Sequence, residues 1–148
     1  MLYDIAEEED IHLFFDLDHE ELIALYHQED DATFISFRRD LDKQPRLFRD
    51  IFAEELGHHF TSVGNSVFYE KYADRVIRDR AEYRALKWGA QFMMPAAEFV
   101  GSFRCCHTVH ELADYFEVTE GLVKFRYEVL QREEIEWLPE PARLSEVG

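Results

Sequence analysis

The chain has 148 residues, long enough for one compact domain with a real core. Hydrophobic residues make up 47% of it and Phe alone fills 13 positions, which argues against a disordered chain. Acidic residues outnumber basic ones 32 to 16, and a formal net charge of -16 repels the phosphates of DNA and RNA, so nucleic acid is a poor partner.

The first ten residues, MLYDIAEEED, have neither a basic start nor an apolar stretch and do not read as a secretory signal. Helix and extended arm both stay open for them. From Ile11 to Phe37 the apolar runs IHLFF, ELIALY and TFISF are separated by the acidic, turn-like pieces DLDHE and HQEDD. That pattern predicts a small antiparallel meander of about three strands. A helix is predicted from about Gln44 to Phe60, with Pro45 in its first turn. Phe48, Phe52, Leu56 and Phe60 recur every four residues as one apolar stripe, and Gly64 and Asn65 supply a break. A second helix is predicted over roughly Tyr69 to Met93, ending before Pro95.

Cys105 and Cys106 are the only cysteines and are adjacent, so they make no disulfide framework. Thr108 and Glu111 have the spacing of a capping box, opening a helix through Phe116, and another helix follows from about Glu120 to Gln131. From Glu133 onward the chain is acidic and contains Pro139 and Pro141, the composition of a surface tail. The expected organisation is a domain over 1–132 and an acidic tail over 133–148. No apolar run approaches the roughly 20 residues a membrane helix needs. A soluble chain in the reducing cytoplasm fits these features.

The first long helix carries the candidate chemistry. At 100° per residue, Glu54 and His58 face the same way, one turn apart and nearly opposite the Phe stripe. Glu55 lies about 80° from their midline, at the edge of that face. Two ligands at i and i+4 with a carboxylate at i+1 is the geometry of the HExxH zinc-protease helix. A third ligand is needed, and Glu82 on the second helix offers one. Ala85, Leu86, Gly89, Ala90 and Met93 share a face with Glu82, so it reads as a carboxylate at the head of an apolar stripe. Ala85, Gly89 and Ala90, with Ala53 and Gly57 opposite, would let the two helices approach closely. By spacing alone a plain helix surface, with Glu54–His58 and Glu55–His59 pairs, is the simpler account.

Three segments shift that balance. IFAEELGHHF resembles the active-site helix of the ImmA/IrrE family of metallo-endopeptidases, in which an alanine precedes HELGH. AEYRALKWGAQFMMP resembles the family's second block, a Glu followed by an apolar helix ending in Met-Pro. ELADYFEVTEGLVKFRYEVL resembles its third, and the three occur in the family's order. The resemblance implies an α+β fold, a small sheet packed on a helical bundle with a zincin-like active-site helix. It implies Glu54, His58 and Glu82 as metal ligands and Glu55 as general base. Glu54 stands where the family usually has His. Carboxylate oxygen also ligates zinc, but a set with two carboxylates is harder, so zinc is expected with manganese as the alternative. The family's role implies a protein substrate: a helix-turn-helix repressor of a prophage or mobile element, which the protease inactivates as an anti-repressor.

Other polar residues are weaker candidates. His59 points about 100° from His58 and is a candidate for an oxyanion or supporting role, as are Tyr69 and Tyr72. A surface or supporting histidine is the plainer account of His59, and half-buried packing that of the two tyrosines. Cys105, Cys106, His107 and His110 have a metal-like composition but no common zinc spacing, and read as a loop and helix start. The segment from Leu112 to Arg126 has the look of a helix-turn-helix, making a DNA-binding regulator an alternative; its basic residues are Lys124, Arg126 and Arg132. A domain that binds a repressor without cutting it is the other alternative.

Overall fold

The computed structural model describes residues 1–62 and 75–133. Gly64, Asn65, Tyr69, Tyr72 and nearly all of the acidic tail lie outside the described residues. The chain divides into two compact units, Met1–Gly89 and Ala90–Gly148.

The first unit opens with α1 (Leu2–Glu8), which settles the open question about the N-terminus in favour of a helix. Three strands follow: β1 (Ile11–Leu17), β2 (Ala24–Glu29) and β3 (Ala32–Arg38). The α+β class holds, but the sheet is mixed and its order is β1-β3-β2. β2 and β3 pair antiparallel, whereas β1 pairs with β3 in parallel, so the expected meander is corrected. The reason lies in the loop between β1 and β2. It crosses the end of β3, where the Arg38 guanidinium donates to the carbonyls of His19, Glu20 and Leu22 at 3.0–3.4 Å. The β2–β3 turn places Asp30 and Asp31 at φ 48° and 63°, the paired left-handed conformation that a tight hairpin needs and Asp tolerates.

Alternation along the strands sends Ile11, Tyr26, Ile35 and Phe37 inward, and all four are buried. They meet α2 (Pro45–Thr61), which enters through a short 3-10 turn at Leu41–Lys43. Phe48 and Phe52 pack edge-on against Phe37 at 5.2 and 5.4 Å, and Tyr3 of α1 packs on Phe52 at 5.3 Å. Phe37, Phe48 and Phe52 are buried and each contributes about 1.5–3 kcal/mol. Phe60 leaves the expected stripe: it is 43% exposed and stacks on Trp88.

α3 (Arg75–Met93) carries the expected small-residue face. A Cβ on Gly57 would lie 2.8 Å from the carbonyl carbon of Ala85, and one on Gly89 would lie 3.0 Å from Ala53. α2 and α3 therefore touch backbone to backbone, which side chains at these positions would prevent.

The second unit contains α4 (Ala96–Ser102), α5 (Val109–Phe116) and α6 (Glu120–Arg132). α4 has no counterpart in the sequence reading. Thr108 caps α5 by accepting from the Glu111 N–H, as expected, while the Glu111 carboxylate turns to the His107 N–H instead of completing the box. Thr119 caps α6 from Leu122 N–H. Arg126 is buried under Phe99 and its Nε donates to the Met94 carbonyl at 2.8 Å. No helix among the described residues is long and apolar enough to cross a membrane.

Candidate metal centre

α2 and α3 bring three of the four leading candidates together. Glu54, His58 and Glu82 each offer a ligand atom, and these atoms all lie within 4.8 Å of one another. His58 Nε2 and Glu82 Oε2 are 3.4 Å apart. Two ligands at about 2.0–2.1 Å on a tetrahedral ion stand about 3.4 Å from each other, so this pair has the span such an ion sets. The backbone contact of Gly57 with Ala85 creates the arrangement, because His58 follows the one and Glu82 stands a turn before the other. The sequence reading made Glu82 a buried carboxylate; its side chain is in fact 53% exposed. It reaches His58 from the rim of the site, so its own burial is not what demands a cation.

Glu55 is not one of the three; it is buried beside them. The sheet register explains its partner. Arg38 N–H donates to the Ile23 carbonyl at 2.8 Å, so the hydrogen-bonded pairs of the β2–β3 ladder fall on every second residue from there. Tyr26, opposite Ile35, is in a pair that exchanges no ladder bonds, and its N–H points off the edge of the sheet. That N–H hydrogen-bonds the Glu55 carboxylate.

Burial sets the electrostatics. It pushes the Glu55 carboxyl up to about 8; Glu54 and Glu82 add to the rise, and His58 and the Tyr26 N–H oppose it. Burial likewise raises Glu54 to about 7, helped by the charge of Glu82 and a hydrogen bond to it. For His58 burial pulls the pKa down, yet the hydrogen bond to Glu82 and the charges of Glu55, Glu82 and Glu54 outweigh it, so its pKa is raised. The result is a half-buried site in which two carboxyls, Glu54 and Glu55, hold protons near neutrality beside His58 and Glu82. A divalent cation is the natural replacement for those protons, and the donor set of two oxygens and one nitrogen fits one.

A family model described as the IrrE N-terminal-like domain, a peptidase family, matches residues 6–128. The chain belongs to that family. The match runs from the last turn of α1 into α6 and includes all four of these residues. The family is a peptidase family, and Glu54, His58 and Glu82 form a group that could hold a metal ion. No curated protein and no solved structure matches the chain.

The remaining candidates divide. His59 is mostly buried beside the site and bonds both Tyr26 and Glu9. Tyr69 and Tyr72 lie outside the described residues. Cys105 and Cys106 approach each other at 3.6 Å and burial pushes the Cys106 thiol up to about 11, which suits a packed thiol better than a thiolate ligand. Among the described residues the Glu54, His58 and Glu82 group is the one cluster of three or more such ligands. Burial of Arg126 also removes one cation from the helix-turn-helix reading, and Lys124 shares the exposed side of α6 with Glu128. Such a face is poorly suited to phosphates. Tyr26 and Glu9 were missed by the sequence reading, since nothing local marks partners that meet only in the fold.

Proposed function

We propose that this IrrE-like chain is a metal-dependent endopeptidase whose substrate is a helix-turn-helix repressor of a prophage or mobile element, and that it acts as an anti-repressor. The observation that carries the chemistry is the convergence of Glu54, His58 and Glu82 beside a buried Glu55. The choice of substrate follows the ImmA/IrrE resemblance.

Glu54, His58 and Glu82 would hold one divalent ion, zinc with manganese as the alternative. Bound there, the ion supplies Lewis-acid polarisation of the scissile carbonyl and makes water more acidic. The chain does the rest. Glu55, with a pKa near 8 in the metal-free chain, is suited to proton transfer at neutral pH: it takes the proton of the attacking water and delivers it to the leaving amine. Tyr26 N–H orients the Glu55 carboxylate. β2 lies at the edge of the sheet; the main-chain groups of Ala24 and Gln28 point outward from it, while the outward Tyr26 N–H is taken by Glu55. An extended peptide pairing there would lie beside the site, which favours a protein substrate over a small molecule.

The purified chain, loaded with zinc or manganese, should cleave the repressor encoded beside it. Glu55→Gln should keep its metal while cleavage falls by about 10²-fold or more. Unchanged cleavage in that variant would overturn the role of Glu55. One observation favours a second reading, a silent domain that binds the repressor: Glu54 replaces the usual His and hydrogen-bonds Glu82, so the site can close around a proton. Repressor binding without metal uptake or cleavage, even in excess ion, would select it.

A further inference from the structure

His59 stands between two partners that are far away in sequence. Its Nδ1 lies 3.0 Å from the Tyr26 hydroxyl, and its Nε2 lies 3.0 Å from Glu9 Oε2. An ionised carboxylate only accepts, so Nε2 carries the hydrogen and Nδ1 is left to accept from the tyrosine O–H. The chain of bonds thus runs from the residue that ends α1, through α2, to the edge strand β2. Tyr26 is also the residue whose main-chain N–H holds Glu55, and its ring lies nearly parallel to that of His58, 20° apart at 6.5 Å. One residue of β2 therefore touches the base through its backbone and the relay through its side chain. Thr33 and Gln28 also hydrogen-bond the Tyr26 hydroxyl, so His59 is one of three side chains that hold it.

We infer that Glu9 and His59 are positioning residues for Glu55: they fix the Tyr26 hydroxyl and so hold β2 where its N–H aligns the carboxylate. This rests on Glu55 acting as the base. Glu9 selects the His59 tautomer, His59 locks Tyr26, and Tyr26 sets the orientation of Glu55. A carboxylate turned away from the attacking water binds substrate as before but takes its proton less well. The relay therefore acts first on turnover, with a smaller effect on substrate pairing at β2.

The test uses Glu9→Ala, Glu9→Gln and Tyr26→Phe in the full chain. In Glu9→Ala and Tyr26→Phe, kcat on the repressor should fall about tenfold, KM should change less than kcat, and metal content should stay unchanged; Glu9→Gln, whose amide oxygen still accepts from Nε2, should recover most of the loss. Two readouts need no activity. Nitrogen-15 NMR should show His59 protonated at Nε2 in the parent, and hydrogen exchange at the Tyr26 amide should quicken in Glu9→Ala while amides of α5 and α6 keep their rates. Parental kcat in Glu9→Ala, or an unchanged Tyr26 amide, overturns the inference, as does a His59 protonated at Nδ1. Should the parent cleave nothing, the peptidase reading fails by itself, and the NMR and exchange data still decide whether Glu9 holds Tyr26.

Discussion

The two helix pairs of this protein are built to different ends. α5 and α6 start from threonine caps, bury Leu112, Phe116, Leu122 and Val123, and place their one buried cation against a backbone carbonyl. α2 has no side-chain cap, meets α3 through glycine and alanine, and carries Glu54, Glu55 and His58 on the side facing Glu82 or the sheet. The first pair spends its residues on stability. The second brings like charges together and leaves them holding protons above their ordinary range. Such a cluster weakens the metal-free fold, and a bound cation would relieve it.

The largest effect should come from closing the gap on which the second pair depends. Gly57→Val places side-chain atoms where the Ala85 backbone lies, and should lose about 3 kcal/mol or more together with metal uptake. Gly101→Ala is the control, because nothing lies within 4 Å of a Cβ there; it should leave both unchanged or gain slightly in stability. Chemical denaturation beside metal analysis by plasma mass spectrometry distinguishes the two.

The odd residue of the site gives a smaller and more selective change. Glu54→Ala should weaken metal binding by about tenfold or more without unfolding the chain. Glu54→His replaces an anionic oxygen with a neutral nitrogen, so the ion's charge is less neutralised. That variant should hold zinc at least as well, relative to manganese, and move the acidic limb of the pH–rate profile to lower pH. If Glu54→Ala keeps parental metal affinity and cleavage, Glu54 is a bystander.

Protonation supplies a third contrast. Glu54 and Glu55 have folded-state pKa values near 7 and 8, above the 4.5 of an unfolded carboxyl, so between these values the folded state binds more protons. His58, also raised, adds stability at low pH that is lost as pH rises through its folded pKa. All three act in one direction: the metal-free protein should lose stability as pH climbs from about 5 to 8. Its thermal midpoint should fall over that interval, and the rise produced by added zinc should grow, because the ion competes with fewer protons. A midpoint that rises with pH in the metal-free chain would contradict the burial of these groups. The smallest change belongs to the other pair: Thr119→Ala removes one cap and should cost about 1 kcal/mol, with metal content and the pH dependence untouched.

What was legible in the sequence was whatever a single element repeats locally. The stripe of Phe48, Phe52 and Leu56, the small face of Ala85 and Gly89, the cap at Thr108 and the spacing of Glu54 and His58 all lie within a few turns of themselves. Convergence of Glu82 on that spacing was also anticipated, although its exposure was not. The parallel pairing of β1 was hidden because it depends on Arg38 gripping a loop some twenty residues away. Phe60 continued the period of its helix but lay past the end of the sheet's cover. Glu9, Tyr26 and His59 carry no shared local signal at all; only the fold brings them together.

A sheet edge also invites another copy of itself. The outward main-chain groups of β2 are a template on which a second strand can grow, the usual start of sheet-mediated aggregation. An edge that pairs with a substrate, as proposed above, cannot be blunted by a proline or a bulge. Here the hairpin beside it ends in Glu29, Asp30 and Asp31, on a chain whose formal charge is -16. Two such edges repel before they can register, while a peptide of opposite or no charge does not. Since that repulsion is ionic, added salt shortens its reach to about 3 Å at 1 M, so colloidal behaviour and open edge are two sides of one charge distribution.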